Sequence, residues 1–454
     1  MRLIVGLCVL ASLAWAFSLS YGSSNQTFDL PDLPIWNWSS ERSPATMTIV
    51  VAGDTGLNSD RAEVFAYRSV KRGSMIGWDD TTVSVAPLIN GDLNFANLET
   101  VVTDRNDLQR QPKLFTFRTH PNAVRHLLRA GFNVFSAANN HVMDYGVDGA
   151  RDTVRNLNSM LGDGLLAYAG LGLNRDEAAA SHTFELKGKQ IAFSAIGIAS
   201  QGVADDDTPG QLAYQYERDF DDVVSQLAST PADYRILSVH HGNEFEVKTS
   251  VQDRHRLRDL AVRSSNIDLV IGHHQHVVAG IELTDGKVIF YGLGNFLHLG
   301  TQDMTVFDIC RDYGLVARVH LAQQNGRYAV RAIEAIPIQR TNIRPAPMQP
   351  EASRARIHVL NHLAEALDDP GAGSLGVRFA PQSNGNGLYC APGASADGGK
   401  VGTLCSNAEA YEAPPEKLRR EIASACATTV TRNYVAAADP ADAPAGGSSP
   451  AGSP

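Results

Sequence analysis

The chain has 454 residues, 43% of them hydrophobic and 19% charged, and a formal net charge of −10 at pH 7. These values are typical of a globular protein with one large domain or two ordinary ones, and they exclude a chain that is disordered throughout. The acidic balance, without any Lys/Arg-rich block, argues against nucleic acid as a partner.

Residues 1–22 have the pattern of a secretory signal peptide or an N-terminal membrane anchor. Arg2 precedes an apolar run, Leu3–Leu19, that contains the small-residue pattern Ala14-x-Ala16. The run is slightly long for a cleaved signal and slightly short for a membrane span, so both alternatives stay open. We therefore expect an exported protein in the periplasm or cell envelope, either processed or anchored by its N-terminus.

Between residues 46 and 161, strands and helices are predicted to alternate. Three segments are predicted strands that end in polar residues: the β-rich run TMTIVVA before Gly53-Asp54, LNFANL before Glu99, and FNVFSA before Asn139-Asn140-His141. A helix is predicted over Pro121–Ala130, with proline at its start and glycine after its end. This alternation predicts βαβ units with parallel strands.

Farther along the chain, three antiparallel hairpins are predicted. Their strands are Thr183–Leu186 with Gln190–Ile196, Glu282–Thr284 with Lys287–Tyr291, and Leu315–Leu321 with Tyr328–Ile336. Parallel units mixed with hairpins in one chain predict an α/β fold in which two sheets pack together with helices outside.

Two further apolar runs end abruptly in histidines. Ile236–Val239 leads into His240-His241-Gly242, and Ile267–Ile271 leads into Gly272-His273-His274-Gln275-His276. Short continuous apolar runs are typical of buried strands, and open α/β sheets bind their ligands at the carboxyl ends of such strands. Imidazoles two residues apart at a strand end can both reach one point, as a metal ion requires.

The polar groups at these strand ends together indicate a two-metal site. They are Asp54, Glu99, Asn140, His141, His240, His274 and His276. Two ions about 3.5–4 Å apart clamp a phosphoryl oxygen and lower the pKa of a bridging water. Glu99 is the candidate for the bridging ligand, because each oxygen of a carboxylate can bind one ion. His141 is the candidate to protonate a leaving alkoxide or to stabilise the transition state.

These residues lie in six ordered motifs that carry a family resemblance. The motifs are Gly53-Asp54, Asn97-Leu98-Glu99, Asn139-Asn140-His141 with Asp144-Tyr145-Gly146, His240-x-Gly242-x-Glu244, Gly272-His273-His274-x-His276 and Tyr291-x-Leu293-Gly294-Asn295-Phe296. Over about residues 46–300 the chain resembles the capsule-synthesis CapA family, associated with poly-γ-glutamate production, which in turn resembles the calcineurin-like metallophosphoesterases. The resemblance implies a four-layer α/β/β/α sandwich of the metallo-dependent phosphatase type with a metal site at its strand ends.

The chain departs from these families at three positions. Metallophosphoesterases usually carry Asp-x-His in the first motif, whereas the third position here is Gly56, so one metal position has a ligand fewer. The family usually has an aromatic residue where His241 stands and proline where Gln275 stands. His241 makes the ligand of the histidine pair ambiguous, and His240 is chosen from its place in the motif.

From about Asp369 the composition shifts toward small and polar residues. The prediction is a CapA-like domain over residues 45–368, a Gly/Ala-rich extension over 369–434 and a disordered tail over 435–454. If Cys8 leaves with the signal, the remaining four cysteines allow two disulfides in three connectivities: Cys310, Cys390, Cys405 and Cys426. Cys390 with Cys405 is the favoured pair, and unpaired cysteines are the alternative.

The leading hypothesis is an exported, metal-dependent hydrolase of capsule or poly-γ-glutamate synthesis that acts on a phosphoester or an anionic polymer. One or two ions of Mn²⁺, Fe or Zn²⁺ would be held by Asp54, Glu99, Asn140, His240, His274 and His276, while His141 assists the leaving group. The alternative is a non-catalytic capsule-assembly component that retains the fold and binds polymer or membrane-bound capsule synthase components.

Overall fold

The computed structural model of the chain describes residues 45–59, 68–71, 74–199 and 202–430. The predicted signal peptide or anchor at 1–22 and the predicted tail at 435–454 lie outside these residues. Within the described ranges, none of the helices combines the length and hydrophobicity that a bilayer span needs. Strands and helices are numbered along the chain.

A mixed sheet forms one half of the fold. Within the described residues it has ten strands: β1 (Thr46–Gly56), β4 (Leu93–Leu98), β7 (Val134–Ser136), β8 (Ala167–Ala169), β15 (Asn295–His298), β16 (Gly314–Gln324), β17 (Arg327–Gln339), β18 (Ala346–Pro347), β20 (Ala380–Pro381) and β21 (Gly387–Cys390). β1 is central, antiparallel to β16 and parallel to β4. Parallel pairing continues from β4 through β7 to β8, and β15 runs parallel to the carboxyl end of β1.

The second sheet forms the other half. Its seven strands in the described part of the chain are β9 (His182–Leu186), β10 (Lys189–Ile196), β11 (Tyr234–His240), β12 (Leu269–His273), β13 (Ile281–Thr284), β14 (Lys287–Phe290) and β19 (Ser374–Gly376). β10, β11, β12 and β14 are parallel neighbours. Two short ribbons lie outside both sheets: β2 (Arg68–Lys71) with β3 (Ser74–Gly77), and β5 (Val101–Val102) with β6 (Arg118–Thr119).

The helices of the described residues vary from one turn to four. They are α1 (Trp78–Thr82), α2 (Pro121–Arg129), α3 (Gly146–Asn158), α4 (Arg175–Ala179), α5 (Glu217–Ser229), α6 (Val251–Arg254), α7 (Pro350–Glu365), α8 (Gly399–Ser406) and α9 (Glu416–Ala427). The spacer between the two histidine motifs starts as α6 and continues as a π-helix over His255–Ser264. Short 3₁₀ turns occupy Ala86–Leu88, Met304–Val306, Pro370–Ala372 and Ala394–Ala396.

The two sheets pack face to face, and helices cover their outer faces. Ile49 and Val51 of β1 belong to the core between the sheets, whereas Val50 and Ala52 pack with residues of α2 and α3. α5 and the π-helix cover the second sheet through residues that include Phe220. β1 is thus buried on both faces, which explains its continuous apolar run. The predicted four-layer α/β/β/α sandwich is confirmed, as are the three predicted hairpins.

The segment after residue 369 contributes edge strands to both sheets. β19 pairs with β13, and β21 pairs with β17. Cys390 is disulfide-bonded to Cys405, which confirms the favoured pairing. Cys310 is bonded to Cys426 in α9, 116 positions farther along the chain. Cys310–Cys426 therefore attaches this segment covalently to the preceding domain, in addition to the strand pairing, while Cys390–Cys405 closes a loop within the segment.

Candidate metal centre

The carboxyl ends of the parallel strands of both sheets meet at one edge of the sandwich, and all seven predicted site residues lie there. Asp54 is near the end of β1, Glu99 directly follows β4, and His240 is the last residue of β11. The other four follow β7 and β12: Asn140, His141, His274 and His276. Residues far apart in the sequence are thus neighbours because parallel strands end at the same edge.

Two groups of donor atoms share the carboxylate of Glu99. The first group is Glu99, His240 and His274, and the second is Glu99, His276 and His298. In each group the donor atoms all lie within 4.8 Å of one another. Glu99 itself is completely buried. Its position between the groups is the one that a bridging ligand would occupy.

The side chain of Asn140 adjoins the first group. His240 Nε2 lies 2.9 Å from Asn140 Oδ1 and 3.6 Å from Glu99 Oε1. Atoms bound at about 2.1 Å to one ion lie about 3.0–3.4 Å apart, so this spacing suits a common ion. Burial, with the nearby charge of His274, lowers the pKa of His240, and burial lowers the pKa of His274 to about 4. Both rings are therefore neutral donors near neutral pH.

The carboxylate of Asp54 adjoins the second group. Its Oδ2 lies 3.1 Å from His276 Nδ1, and Asn97 Nδ2 donates a 2.8 Å hydrogen bond to its Oδ1. Burial would raise the pKa of Asp54, but hydrogen bonds with His273 and His276 hold it well below its ordinary value. Burial and the charge of Asp54 raise the pKa of Glu99 well above its ordinary value. Two neighbouring carboxylates in a buried space favour a bound cation.

His276 is the charged imidazole of the metal-free centre. Burial would lower the pKa of His276, but the carboxylates of Glu99 and Asp54 raise it to about 10. Its Nδ1 also lies 2.9 Å from Asn295 Oδ1. Near neutral pH this ring carries a proton that an incoming metal ion would have to displace.

Within the two histidine motifs at the ends of β11 and β12, His241 and His273 lie outside both groups. His241 Nε2 is 3.2 Å from the Tyr291 carbonyl oxygen, and its Nδ1 is 3.4 Å from Asp253 Oδ1. Successive side chains of a strand point to opposite faces, so His240 and His241 diverge at the end of β11. His273 stacks on Phe95 with ring centroids 5.5 Å apart and lies 3.5 Å from Asp54 Oδ1.

His141 forms a pair with Asp144. Its Nδ1 lies 2.6 Å from Asp144 Oδ2, so the Nδ1–H donates to the carboxylate and Nε2 faces Glu99 Oε1 at 3.8 Å. Asp144 also accepts a 2.6 Å hydrogen bond from the Phe117 N–H and pairs with Lys113 at 2.5 Å. Burial lowers the pKa of His141, and the charge of Asp144 opposes this shift. Asp144 therefore fixes the tautomer and the orientation of the ring.

The backbone at the centre is unusual in two places. His274 and His276 have positive φ angles of 95° and 56°, a conformation that costs non-glycine residues about 1–3 kcal/mol. Gly53 precedes Asp54 because a Cβ there would lie 1.7 Å from the carbonyl oxygen of Gly294. That carbonyl accepts the Asp54 N–H at 3.0 Å. The close contact of the backbone at Gly53 with the backbone at Gly294 therefore fixes the position of Asp54 and its carboxylate.

A cavity of about 420 Å³ adjoins the centre, a volume typical of small-molecule sites. His141, His274 and His276 line it on the side of the candidate metal site. The lining also includes apolar, polar and charged side chains: Leu114, Phe115, Phe117, Phe245 and Met304, then Gln215, Thr301 and Gln302, then Lys113 and Glu244. The cavity therefore presents apolar, polar and charged groups beside the donor atoms.

The donor set fits divalent metal ions. Within the described residues, no hydrogen-bond partner faces either oxygen of Glu99, Nδ1 of His274 or Nδ1 of His298. Buried polar atoms without partners are rare and costly, so four of them within the two donor groups indicate cation binding. Mixed nitrogen and oxygen donors suit Mn²⁺, Fe or Zn²⁺.

His298 is the member of these groups that the sequence did not indicate. It lies two residues beyond the last family motif, and a single histidine there has no recognisable spacing to the others. The position of His298 depends on a contact between distant segments, which sequence spacing does not reveal. Asp144 lies three residues after His141 in the same motif, and this spacing is the local signal for their pairing.

Comparisons with known proteins identify similar sequences. The profile described as "Bacterial capsule synthesis protein PGA_cap" matches residues 48–299. A PGA biosynthesis protein CapA of Bacillus subtilis (strain 168) is 29% identical over 286 residues, covering 62% of this chain and 70% of that protein. A probable polyglutamine synthesis accessory protein of Mycobacterium tuberculosis (strain ATCC 25618 / H37Rv) is 33% identical over 215 residues, which are 45% of this chain and 55% of that protein.

Solved structures show weaker similarity. A hypothetical protein from Thermus thermophilus has 15% sequence identity and a TM-score of 0.36, and the match covers 66% of this chain and 99% of that one. The calcineurin-like phosphoesterase YfkN from Bacillus subtilis has 15% identity and a TM-score of 0.35, with coverage of 64% and 90%. The assignment of the centre therefore depends on its own geometry.

Proposed function

Because the chain belongs to the bacterial capsule synthesis family PGA_cap, we propose that it is an exported, metal-dependent hydrolase that acts in capsule or poly-γ-glutamate synthesis. Its substrate would be a phosphoester or an anionic polymer. The names of two relatives connect one with PGA biosynthesis and the other with polyglutamine synthesis. Membrane-bound capsule synthase components are the partners that this role implies.

The observation that carries the proposal is the sharing of Glu99 between two groups of donors, buried except for the partly exposed His276, beside an open cavity. Asp54, Glu99, Asn140, His240, His274 and His276 would hold the ions. When bound, the ions would polarise the scissile group and lower the pKa of a water molecule. A centre built only to stabilise the fold would not need a cavity of this size against its histidines.

The remaining chemistry falls to His141 and Asp144. The carboxylate of Asp144 holds the Nδ1–H of His141 and leaves Nε2 directed at the centre, where it can hold a proton for the leaving oxygen. Lys113 pairs with Asp144 and also lines the cavity, so it keeps that carboxylate oriented. The contacts of Asp144 on the Nδ1 side of the ring thus position His141 for this role.

Two disulfides support the proposed export. Cys310–Cys426 and Cys390–Cys405 would persist in an oxidising compartment, and such bonds are rare in the cytosol. The predicted signal or anchor at residues 1–22 agrees with this location.

The test of the function compares the metal-loaded wild type with His141→Gln. We expect the wild type to hydrolyse a generic phosphodiester or poly-γ-glutamate, and we expect kcat to fall about 10²- to 10⁴-fold in the variant, because an amide cannot take up and release a proton at the position of the imidazole Nε2. Metal content by elemental analysis should stay unchanged. Steady-state assays with both substrates measure the effect. His255→Gln, at a side chain that is 60% exposed, is the matched control and should keep full activity.

A metal-loaded wild type that hydrolyses neither substrate would contradict the hydrolase. If that protein still bound poly-γ-glutamate, the non-catalytic capsule-assembly component would be the better description. Co-sedimentation with the polymer distinguishes this outcome from a simply inactive preparation.

Metal binding should release a proton from His276. The pKa of His276 near 10 means that the ring is protonated below that pH and competes with the ion. Apparent affinity should therefore rise about tenfold per pH unit between pH 7 and 9, if a single proton is displaced. Calorimetric titration with Mn²⁺ in two buffers of different ionisation enthalpy counts the released protons. An affinity that is constant over this range would show that His276 is already deprotonated.

A further inference from the structure

The metal position beside Asp54 lacks the histidine that the first motif would usually supply. The metallophosphoesterase pattern Asp-x-His is represented by Asp54 and Gly56, so no imidazole can come from that position. Asp54, Glu99 and His276 alone would give a position with three protein ligands. The question is therefore whether another segment supplies the missing nitrogen.

The sheet topology brings a histidine to that place. β15 runs parallel to the carboxyl end of β1, and in this register His298 is the partner of Gly56. The Leu299 N–H donates to the Gly56 carbonyl at 2.9 Å, which fixes the two strands at this point. His298 thus stands one strand away from the position where the first motif lacks its histidine.

The contacts of His298 determine which nitrogen can bind an ion. Its Nε2 lies 3.2 Å from the carbonyl oxygen of Glu99, so the Nε2–H is the donor and Nδ1 keeps its lone pair. Nδ1 lies 4.0 Å from Glu99 Oε2. In the described part of the chain, no hydrogen-bond donor reaches this Nδ1, although the ring is completely buried.

The ring is also held rigidly at the centre. Its centroid lies 4.7 Å from that of Phe117 and 5.9 Å from that of His276. A metal-binding histidine usually donates its second N–H to a carbonyl or a carboxylate, which orients the ring. His298 shows that arrangement, and the carbonyl that orients it belongs to the shared ligand Glu99.

We propose that His298, through Nδ1, is a ligand of the metal position formed by Asp54, Glu99 and His276, in place of the imidazole that is missing at Gly56. This inference rests on the proposed metal-dependent function. It predicts that the centre holds two ions despite the incomplete first motif. His298 would then be a ligand supplied by a different strand.

The experiment compares wild type with His298→Phe, which keeps an aromatic ring against Phe117 and removes both nitrogens. Calorimetric titration with Mn²⁺ and elemental analysis measure the number and affinity of the ions. We expect two ions in the wild type. In the variant, we expect one ion of unchanged affinity and a second weakened at least about tenfold. His126→Phe, at a buried histidine of α2 outside the centre, is the matched control for loss of a buried imidazole.

Electron paramagnetic resonance of the Mn²⁺-loaded proteins gives a readout independent of activity. Two ions about 3.5–4 Å apart give a spin-coupled spectrum, whereas one ion gives the spectrum of isolated Mn²⁺. We expect the coupled spectrum in wild type and in His126→Phe, and its loss in His298→Phe. Unchanged stoichiometry, affinity and coupling in His298→Phe would overturn the role of His298. A wild type without any bound metal would instead overturn the proposed function.

Discussion

Replacing Glu99 with glutamine is expected to remove both metal ions and to reduce hydrolysis by more than about 1,000-fold. Glu99 is the residue common to both donor groups, and an amide offers one neutral oxygen where the carboxylate offers two charged ones. Loss of the ions removes several kcal/mol of transition-state stabilisation, and each 1.4 kcal/mol is a factor of about ten in rate. Elemental analysis and a phosphodiester assay measure the two effects.

The same substitution should leave the metal-free fold intact or more stable. Burial and the charge of Asp54 raise the pKa of Glu99, so the ionised carboxylate opposes folding in the absence of a cation. Glu334→Gln, on β17, is the control, since Glu334 also pairs with a histidine, His320, but lies outside the centre. Full metal content in Glu99→Gln would contradict the bridging role. Loss of metal in both variants would show that the effect is not specific to the centre.

Replacing Arg311 with methionine is expected to lower the free energy of unfolding by about 3–5 kcal/mol, because three carbonyl acceptors lose their donor at about 1–3 kcal/mol each where they are buried. The Arg311 guanidinium is almost completely buried. It donates to the Phe245 carbonyl at 3.0 Å and to Asp308 Oδ2 at 2.9 Å. It also donates to the carbonyl oxygens of Ala425 and Thr428 at the end of α9. Methionine fills the space but leaves these acceptors without donors.

Urea denaturation of the metal-free protein measures this effect. Arg344→Met is the control, because Arg344 is half exposed and its ion pair with Asp80 spans 3.9 Å. Such a surface pair contributes at most about 1 kcal/mol. Equal unfolding midpoints for the two variants would show that Arg311 does not hold α9 against the loop of Phe245. A loss confined to Arg311→Met would show that this loop and the C-terminal helix stabilise each other.

The parts of the fold that depend on local sequence were predictable. β4 has the bounds predicted for it, and α2 ends one residue before the predicted end. In both elements, the residues that define the pattern and the residues that mark its ends lie within a few positions of one another in the sequence. The carboxylate of Glu99 was also indicated locally, because it directly follows the predicted strand Leu93–Leu98. The carboxyl ends of parallel strands lie at the same edge of a sheet, so the predicted strands were enough to predict that the site residues are neighbours.

The remaining features depend on contacts between distant segments. His298 joins the centre because β15 pairs with β1, about 240 residues earlier, and no spacing within either segment indicates this register. The left-handed backbone of His274 and His276 is imposed by the surrounding fold, since histidine has no strong preference for it. Cys310–Cys426 followed from the sequence only as the remainder after Cys390 and Cys405 were paired.

The bond between Cys310 and Cys426 also has a mechanical consequence. A pulling force applied to the chain beyond residue 426 passes through the sulfur atoms directly to Cys310, which precedes β16. Residues 311–425, including β17 and α7, lie inside the closed loop and are not placed under tension. A tether at the C-terminus would therefore load the chain at Cys310 and leave unloaded the edge strands β19, β20 and β21, which lie between the two cysteines.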